Sequence, residues 1–221
     1  MTDIFSEIEE DIRKDRAKRL WDRFGKFIIA GALALVLAVA AWRGWEAYRA
    51  NQAAQAGDAF LDAVALIEAE PERGIAELEA IVEDGPAGYA ALARFRTASA
   101  QAERGAIEDA LTTMRALTTD NSVDPLLRDV AKVRLGYLLL DHGDPTEIEG
   151  LLIDLSDTTS PFSHSAREIR AFAALKAGNR DQAQALFVEL LGDSQSPEPV
   201  RSRARVALDV LASDGAATAG S

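Results

Sequence analysis

The hydrophobic positions of the chain follow two patterns, which meet near residue 45. Between Phe27 and Trp42, 16 consecutive residues carry no charge, and a helix needs about 20 mostly apolar residues to cross a bilayer. Beyond Trp45, hydrophobic residues return at the three- and four-residue spacing of amphipathic helices. This division predicts an all-α protein with a transmembrane helix over residues 26–45 and a helical domain over residues 46–212.

Side chains suited to the membrane interface bracket the uncharged stretch. A tryptophan combines an apolar ring with a polar N–H and prefers the level of the lipid headgroups. A lysine or arginine at a helix end can extend its charge from the apolar layer toward water. All three tryptophans of the chain lie beside the stretch. The predicted interface residues are Trp21, Lys26, Trp42, Arg43 and Trp45.

Two other interpretations of the uncharged stretch remain open. Residues 38–40, Ala-Val-Ala, fit the small-residue pattern of a signal-peptide cleavage site, and a core helix of a soluble protein is also apolar. A signal peptide usually begins with a short positive segment, whereas about 26 residues of mixed charge precede this stretch. The interpretation as a core helix does not explain why all three tryptophans flank the stretch. We therefore favour an uncleaved anchor.

The basic residues around the predicted span set its orientation. Loops that stay in the cytoplasm carry an excess of lysine and arginine near the membrane. Seven basic residues precede the uncharged stretch, and only Arg43 and Arg49 occur in the comparable segment after it. The N-terminus is therefore predicted to be cytoplasmic. The domain that follows is predicted to be exported, which in a bacterium means the periplasm.

The first 25 residues form a predicted cytoplasmic tail with an amphipathic pattern. Ile4, Ile8 and Ile12 are four residues apart and share one face of a helix. Acidic residues come early and basic residues late, which suits the helix dipole. Two interpretations fit this pattern: a helix lying on the membrane surface with its basic end near anionic lipid, and a docking site for a cytoplasmic partner.

Three segments of the exported region align with one another without a gap: 91–117, 129–155 and 164–190. Each has a small residue in its first half, a glycine seven residues later and a further apolar position five residues after the glycine. Two helices joined by a turn explain the spacing, because small residues let paired helices approach closely. The predicted packing residues are Ala98, Gly105, Ala110, Gly136, Gly143, Ala171, Gly178 and Ala183.

This pattern resembles the tetratricopeptide repeat, in which helix pairs stack into a solenoid. A weaker unit covers residues 54–83 and turns near Pro71, and a last helix over residues 199–212 is expected to cap the stack. Residues 213–221 are predicted to be a disordered tail. The chain departs from the usual repeat pattern at three first-helix positions, where charged residues replace large apolar ones: Arg94, Lys132 and Arg167.

Charge and residue inventory disfavour several classes of function. The formal net charge is -12, whereas proteins that bind nucleic acid need a basic surface. Cysteine is absent, and neither His142 nor His164 lies in a metal-ligand pattern. No catalytic motif of the common hydrolase, nucleotide-binding or zinc-protease types occurs. We expect no enzyme activity, no cofactor, no metal site and no nucleic-acid partner.

Protein binding suits the sequence better, because a helix-pair solenoid presents a long surface for peptides and proteins. Apolar residues recur at equivalent positions of the second and third units. An equally simple interpretation is that these residues form the core between neighbouring units. The candidate protein-binding residues are Val133, Tyr137, Leu140, Phe172 and Leu175.

The chain as a whole resembles the ancillary SecYEG translocon subunit family. The resemblance rests on the tail segment "RLWDRFGKFIIAG", the single span, the segment "GWEAYRANQAAQAGDAFLDA" and the degenerate repeats. It implies a single-pass inner-membrane protein that assists exported proteins, with translocon subunits, periplasmic chaperones or nascent exported chains as partners. The alternative is an anchored scaffold for envelope or cell-division complexes. The oligomeric state is left open.

Overall fold

The computed structural model describes the backbone of residues 3–219 and the side chains of residues 23–27 and 29–213. Every regular element in this part of the chain is a helix, as predicted, and a short 3-10 helix (Ile153–Ser156) follows α6. The α-helices are α1 (Asp3–Ala69), α2 (Pro71–Asp84), α3 (Ala87–Glu103), α4 (Ile107–Thr119), α5 (Pro125–His142), α6 (Pro145–Leu152), α7 (Ser163–Lys176), α8 (Arg180–Gly192) and α9 (Glu198–Ala219).

The chain divides into two compact units, residues 1–54 and residues 55–221. The first unit contains most of α1, and its apolar side chains are exposed: Leu35 is 66% and Leu37 is 61% accessible. Residues 23–69 are the one stretch, among the residues described, that is long and apolar enough to cross a membrane. That finding rests on length and composition.

The predicted interface residues lie on this exposed helix where their side chains are described. Trp42 and Trp45 are 71% and 63% accessible, and Lys26 is also exposed. Arg43 pairs with Glu46 at 3.4 Å. The side chains of Trp21 and of the amphipathic tail over residues 1–22 lie outside the described part of the chain.

The second unit consists of helix pairs that follow the predicted repeat boundaries. The end of α1 pairs with α2, and α3–α4, α5–α6 and α7–α8 are the three units that align in sequence. Prolines occupy the first position of α2, α5 and α6, where the missing N–H costs no hydrogen bond. Asp124 and Asp144 accept hydrogen bonds from the first turns of α5 and α6.

The three turn glycines adopt two different conformations. Gly105 and Gly178 have φ of 79° and 80°, a left-handed conformation that glycine tolerates without a Cβ clash. Gly143 is extended instead, and a Cβ there would collide with Leu139. The α5–α6 turn therefore needs a glycine because the main chain at residue 143 passes close to Leu139, and not because the backbone is left-handed there.

Small residues occupy the contacts between paired helices. Ala98, Ala110, Ala171 and Ala183 are at most 1% exposed. Gly136 has no room for a side chain, because a Cβ at that position would lie 2.9 Å from Leu152 Cδ1. These positions coincide with the packing residues that the repeat alignment predicts.

The charged residues that interrupt the repeat pattern are paired with acceptors. Arg94 bridges to Asp120 at 2.5 Å, and Lys132 pairs with Asp129 at 3.0 Å. Arg167 is only 3% exposed and donates through Nε to the carbonyl of Ser156 at 3.1 Å. A buried guanidinium replaces an apolar contact here because main-chain and carboxylate oxygens surround it.

The last helix is longer than predicted. The sequence suggests an end at residue 212, whereas the backbone of α9 continues as helix to Ala219. The helix thus covers most of the segment for which disorder is expected. The side chains beyond residue 213 and the whole of residues 220–221 lie outside the described part of the chain.

Candidate protein-binding groove

Helices α5 and α7, each the first helix of its pair, and the last helix α9 pack in sequence beside one another. Helix α5 packs against α7, and α7 packs against α9. Two neighbouring pockets open along these contacts. The α5–α7 pocket has a volume of about 470 Å³, and the α7–α9 pocket has a volume of about 360 Å³. The two pockets share Phe172, Leu175 and Arg203 as a common wall, and together they form a groove.

Apolar side chains form most of the groove surface. Phe172 is half-buried, and its ring meets the fully buried Phe187 edge-on with the centroids 5.0 Å apart. Leu140 lines one pocket, and Val206 and Val210 line the other. Val206 and Val210 are 60% and 52% accessible. The groove therefore offers apolar contact area that the domain itself leaves uncovered.

A polar bridge joins the three helices beneath this surface. Glu168 on α7 is 1% exposed and accepts two hydrogen bonds from Arg203 on α9, at 2.5 Å from Nε and 2.8 Å from Nη2. The hydroxyl of Tyr137 on α5 donates to Glu168 Oε2 at 3.2 Å. A buried carboxylate is tolerated because its oxygens are hydrogen-bonded to a cation and a phenol.

The surroundings of Tyr137 and Arg203 determine the protonation state of both side chains. Burial raises the pKa of the Tyr137 phenol, and the neighbouring charge of Glu168 raises it further. The hydrogen bond to Glu168 raises the pKa of the Arg203 guanidinium. Tyr137 therefore stays a neutral donor and Arg203 stays a cation over the whole physiological pH range.

Two further charged residues line the α5–α7 pocket. Asp141 and Lys176 both line this pocket. Lys176 Nζ donates to the main-chain oxygen of Leu140 at 2.7 Å. With Glu168 and Arg203, the groove holds two positive and two negative groups, so it is electrically balanced although the domain around it is acidic.

Four of the five predicted binding residues line the groove: Tyr137, Leu140, Phe172 and Leu175. Val133 is half-buried and lines neither pocket, although it packs against the same core as Leu140. Phe172 and Leu175 likewise pack against a core while they line the groove. Sequence reasoning did not identify Glu168 or Arg203, which are 35 residues apart and carry no local motif. Glu168 is buried, which is unusual for a carboxylate and has no signal in the local sequence.

The histidines lie apart from the groove. His142 is exposed at the end of α5, and His164 contacts Asp193 with 2.9 Å between Nε2 and Oδ2. Hydrogen bonds from the Gln195 main chain and then from His164 lower the pKa of the Asp193 carboxyl. Residues with described side chains include no group of three or more histidines and carboxylates suited to a metal ion.

Comparison with known proteins identifies the repeat family. The family model of the tetratricopeptide repeat-like domain matches residues 18–213. No curated protein and no solved structure was found to match the chain. Domains of this type are typically non-catalytic modules for protein–protein interaction. Since the match covers most of the chain, the protein belongs to the tetratricopeptide repeat-like domain family.

Proposed function

We propose that this protein is a membrane-anchored periplasmic module that binds proteins as an accessory subunit of the Sec translocon and the periplasmic chaperone network. The observation that carries the proposal is the uncovered apolar groove between α5, α7 and α9. A protein emerging from the membrane is unfolded and exposes apolar side chains, which such a groove can cover. An anchor keeps the groove beside the exit site.

The N-terminal helix supports the membrane part of the proposal. Its residues from 29 to 42 expose their apolar side chains, as expected for a surface that faces lipid. The excess of basic residues before the span favours a cytoplasmic N-terminus. The family match begins at residue 18, so it takes in the span together with the repeats. This range supports a proposal in which the anchor and the repeats belong to the same kind of protein.

Site-specific crosslinking in intact membranes tests the proposed partners. A photoreactive phenylalanine replaces Tyr137 in the groove, and a matched variant carries it at Val188, which is 54% accessible on α8 and lines neither pocket of the groove. We expect mass spectrometry to find translocon subunits, periplasmic chaperones and exported chains with the first variant only. Cell-division or peptidoglycan-linked proteins at Tyr137 would support the scaffold alternative and contradict the Sec assignment.

Protease accessibility tests the proposed orientation. Protease added to spheroplasts is expected to digest the domain after Glu46 and to spare the N-terminal tail. Intact-mass measurement of the purified protein is expected to show a chain that retains residues 1–40. Full protection of the domain would contradict the proposed orientation. A chain that begins at Ala41 would show that the apolar stretch belongs to a cleaved signal peptide and not to an anchor.

A further inference from the structure

We propose that the groove recognises an extended, uncharged apolar polypeptide segment, and that Arg203 donates hydrogen bonds to a main-chain carbonyl of that segment. This inference rests on the proposed function of the groove as a protein-binding site. It adds the chemical class of the bound segment and a residue that selects it. Three features of Arg203 and its surroundings carry the inference.

The first feature is the set of hydrogen-bond donors that Arg203 leaves unused. A guanidinium has five N–H donors, and Arg203 uses Nε and one N–H of Nη2 to bind Glu168. Its remaining N–H groups, including both on Nη1, have no acceptor among the residues whose side chains are described. The side chain of Arg203 is 52% exposed, whereas that of Glu168 is 1% exposed. The free donors are therefore available to a ligand.

The second feature is the position of Arg203. It lines both pockets, together with Phe172 and Leu175. A chain that places one apolar side chain in each pocket must cross this shared wall with the intervening main chain. The free N–H groups of Arg203 then lie where main-chain carbonyls pass. A helix satisfies its own carbonyls internally, whereas an extended segment leaves its carbonyls free to accept.

The third feature is the charge balance of the groove. Glu168 offsets the charge of Arg203, and the rim carries one further negative and one further positive group, Asp141 and Lys176. A paired guanidinium donates hydrogen bonds but attracts anions weakly, because the adjacent carboxylate opposes its field. A neutral carbonyl oxygen therefore suits this site better than a carboxylate. The equal number of positive and negative groups along the groove favours a segment without net charge.

Peptide binding to the full-length protein in lipid nanodiscs tests the inference. The probe is the peptide Gly-Ser-Phe-Ala-Val-Phe-Ser-Gly with blocked termini and an uncharged fluorescent label, and binding is followed by fluorescence anisotropy. Two comparison peptides replace both serines by aspartate or lock the same residues into a helix with a hydrocarbon staple. We expect the neutral, unlocked peptide to bind most tightly. Equal affinity for all three peptides would overturn the inference.

Substitution of Arg203 tests the donor role. Arg203→Lys keeps the charge beside Glu168 but removes the planar set of donors, so affinity for the neutral peptide should fall about tenfold. Arg201→Lys is the matched control, because Arg201 lies on the same helix and pairs with Glu198 at 2.6 Å outside the groove. Unchanged affinity in Arg203→Lys, or an equal loss in both variants, would overturn the inference.

Glu168→Gln tests the role of the charge balance, because it leaves the charge of Arg203 without an opposing carboxylate. We expect this variant to gain affinity for the aspartate peptide, which loss of packing alone would not produce. No gain in a variant that melts like the native protein contradicts the inference. If circular dichroism shows Glu168→Gln to be unfolded, the affinity of Arg203→Lys for the neutral peptide decides whether the inference holds.

The outcomes separate this inference from the proposed function. Translocon subunits crosslinked at Tyr137 together with equal binding of all three peptides would retain the function and reject the inference. Selective peptide binding without translocon crosslinks would retain the inference and reject the Sec assignment.

Discussion

The N-terminal helix and the helix pairs use similar apolar residues in opposite ways. Leu35 in the predicted span is 66% exposed, whereas Leu135 in α5 is 1% exposed. The helix pairs bury their leucines against neighbouring helices, and small residues make the close approach possible. Among the side chains described between residues 23 and 54, those of the predicted span from residue 29 to 42 are all exposed. Apolar residues that the chain leaves uncovered require another apolar medium, and a bilayer provides one.

Charged residues show the same contrast. The uncharged stretch tolerates none over 16 residues, whereas the repeat domain buries both Arg167 and Glu168. Both buried groups have hydrogen-bond partners on other elements of the domain. A packed helical domain can supply such partners at fixed positions, whereas the lipid around a single span cannot. The comparison leads to four predictions, beginning with the largest effect.

Leu35→Arg tests whether the exposed helix lies in a bilayer. Replacing a leucine by an arginine near the centre of a span costs about 3 kcal/mol of insertion free energy. We expect a reduced inserted fraction in a membrane-insertion assay. Leu61→Arg is the matched control, because Leu61 is 65% exposed on the same helix but lies outside the predicted span. Equal insertion of the two variants would contradict the anchor.

Ala183→Trp tests the close packing of the helix pairs. Ala183 is 0% exposed and packs in one core with Ala171 and Phe187. A tryptophan has no room there, and overpacking of this kind costs about 3 kcal/mol of unfolding free energy. The melting temperature of the protein in detergent should fall clearly. Ala185→Trp, at an exposed position of the same helix, should leave it nearly unchanged. Two equal melting temperatures would show that the repeat register is wrong.

Gly74→Ala tests the contact between α2 and the end of α1. A Cβ at Gly74 would lie 2.7 Å from the main-chain nitrogen of Ile67 and 2.9 Å from its Cα. The two helices must separate, so we expect a loss of about 1 kcal/mol in thermal unfolding. Gly150→Ala is the control, since a Cβ there meets nothing within 4 Å. That change should stabilise α6 by about 0.5–1 kcal/mol. Destabilisation by both substitutions would contradict the contact.

Replacement of Asp120 is expected to have the smallest effect on stability of the four changes, and this effect depends on pH. Hydrogen bonds from Ser122 and then from Arg94 lower the pKa of the Asp120 carboxyl in the folded protein. A carboxyl with a lowered folded pKa stabilises the fold above its unfolded pKa of about 3.9, and this contribution is lost as the pH falls below that value. Asp120→Asn should therefore lower the melting temperature at pH 7.

The difference between Asp120→Asn and the native protein should shrink below about pH 4, where the Asp120 carboxyl of the unfolded chain begins to protonate while that of the folded protein stays ionised. Thermal melts monitored by circular dichroism over this range measure the difference. Asp109→Asn, at an exposed position of α4, is the control and should show little difference at either end. A difference for Asp120→Asn that stays constant with pH would exclude the ion pair as its cause.

The elements of the fold were largely predictable, because each depends on local sequence. The apolar spacing, the prolines at helix starts and the repeated glycines gave the boundaries of α3 to α8 within a few residues. Local signals misjudged the end of α9, where alanine-rich residues continue the helix beyond position 212. They also treated Gly143 as equivalent to Gly105 and Gly178, although its backbone differs.

The candidate groove was only half predictable. Tyr137, Leu140, Phe172 and Leu175 follow from the equivalence of two repeats, since apolar residues at one phase of two packed helices meet on one face. Val133 belongs to the same stripe, and it packs against the same core as Leu140 without lining either pocket, so the apolar stripe alone does not separate groove positions from core positions. The α7–α9 pocket was not predicted. Helix α9 has no partner helix, so the repeat alignment could not indicate which of its faces meets α7.

The sequence by itself determined the all-helical class, the repeat family and a stretch that is long and apolar enough to span a bilayer, since these depend on composition and on spacing along the chain. Only the tertiary structure decided that Glu168 is buried and that Arg203, 35 residues away, binds it. A charged side chain is exposed or buried according to its partners, and partners on separate helices meet only when the helices pack. The groove and its charge balance are therefore properties of the packing of α5, α7 and α9.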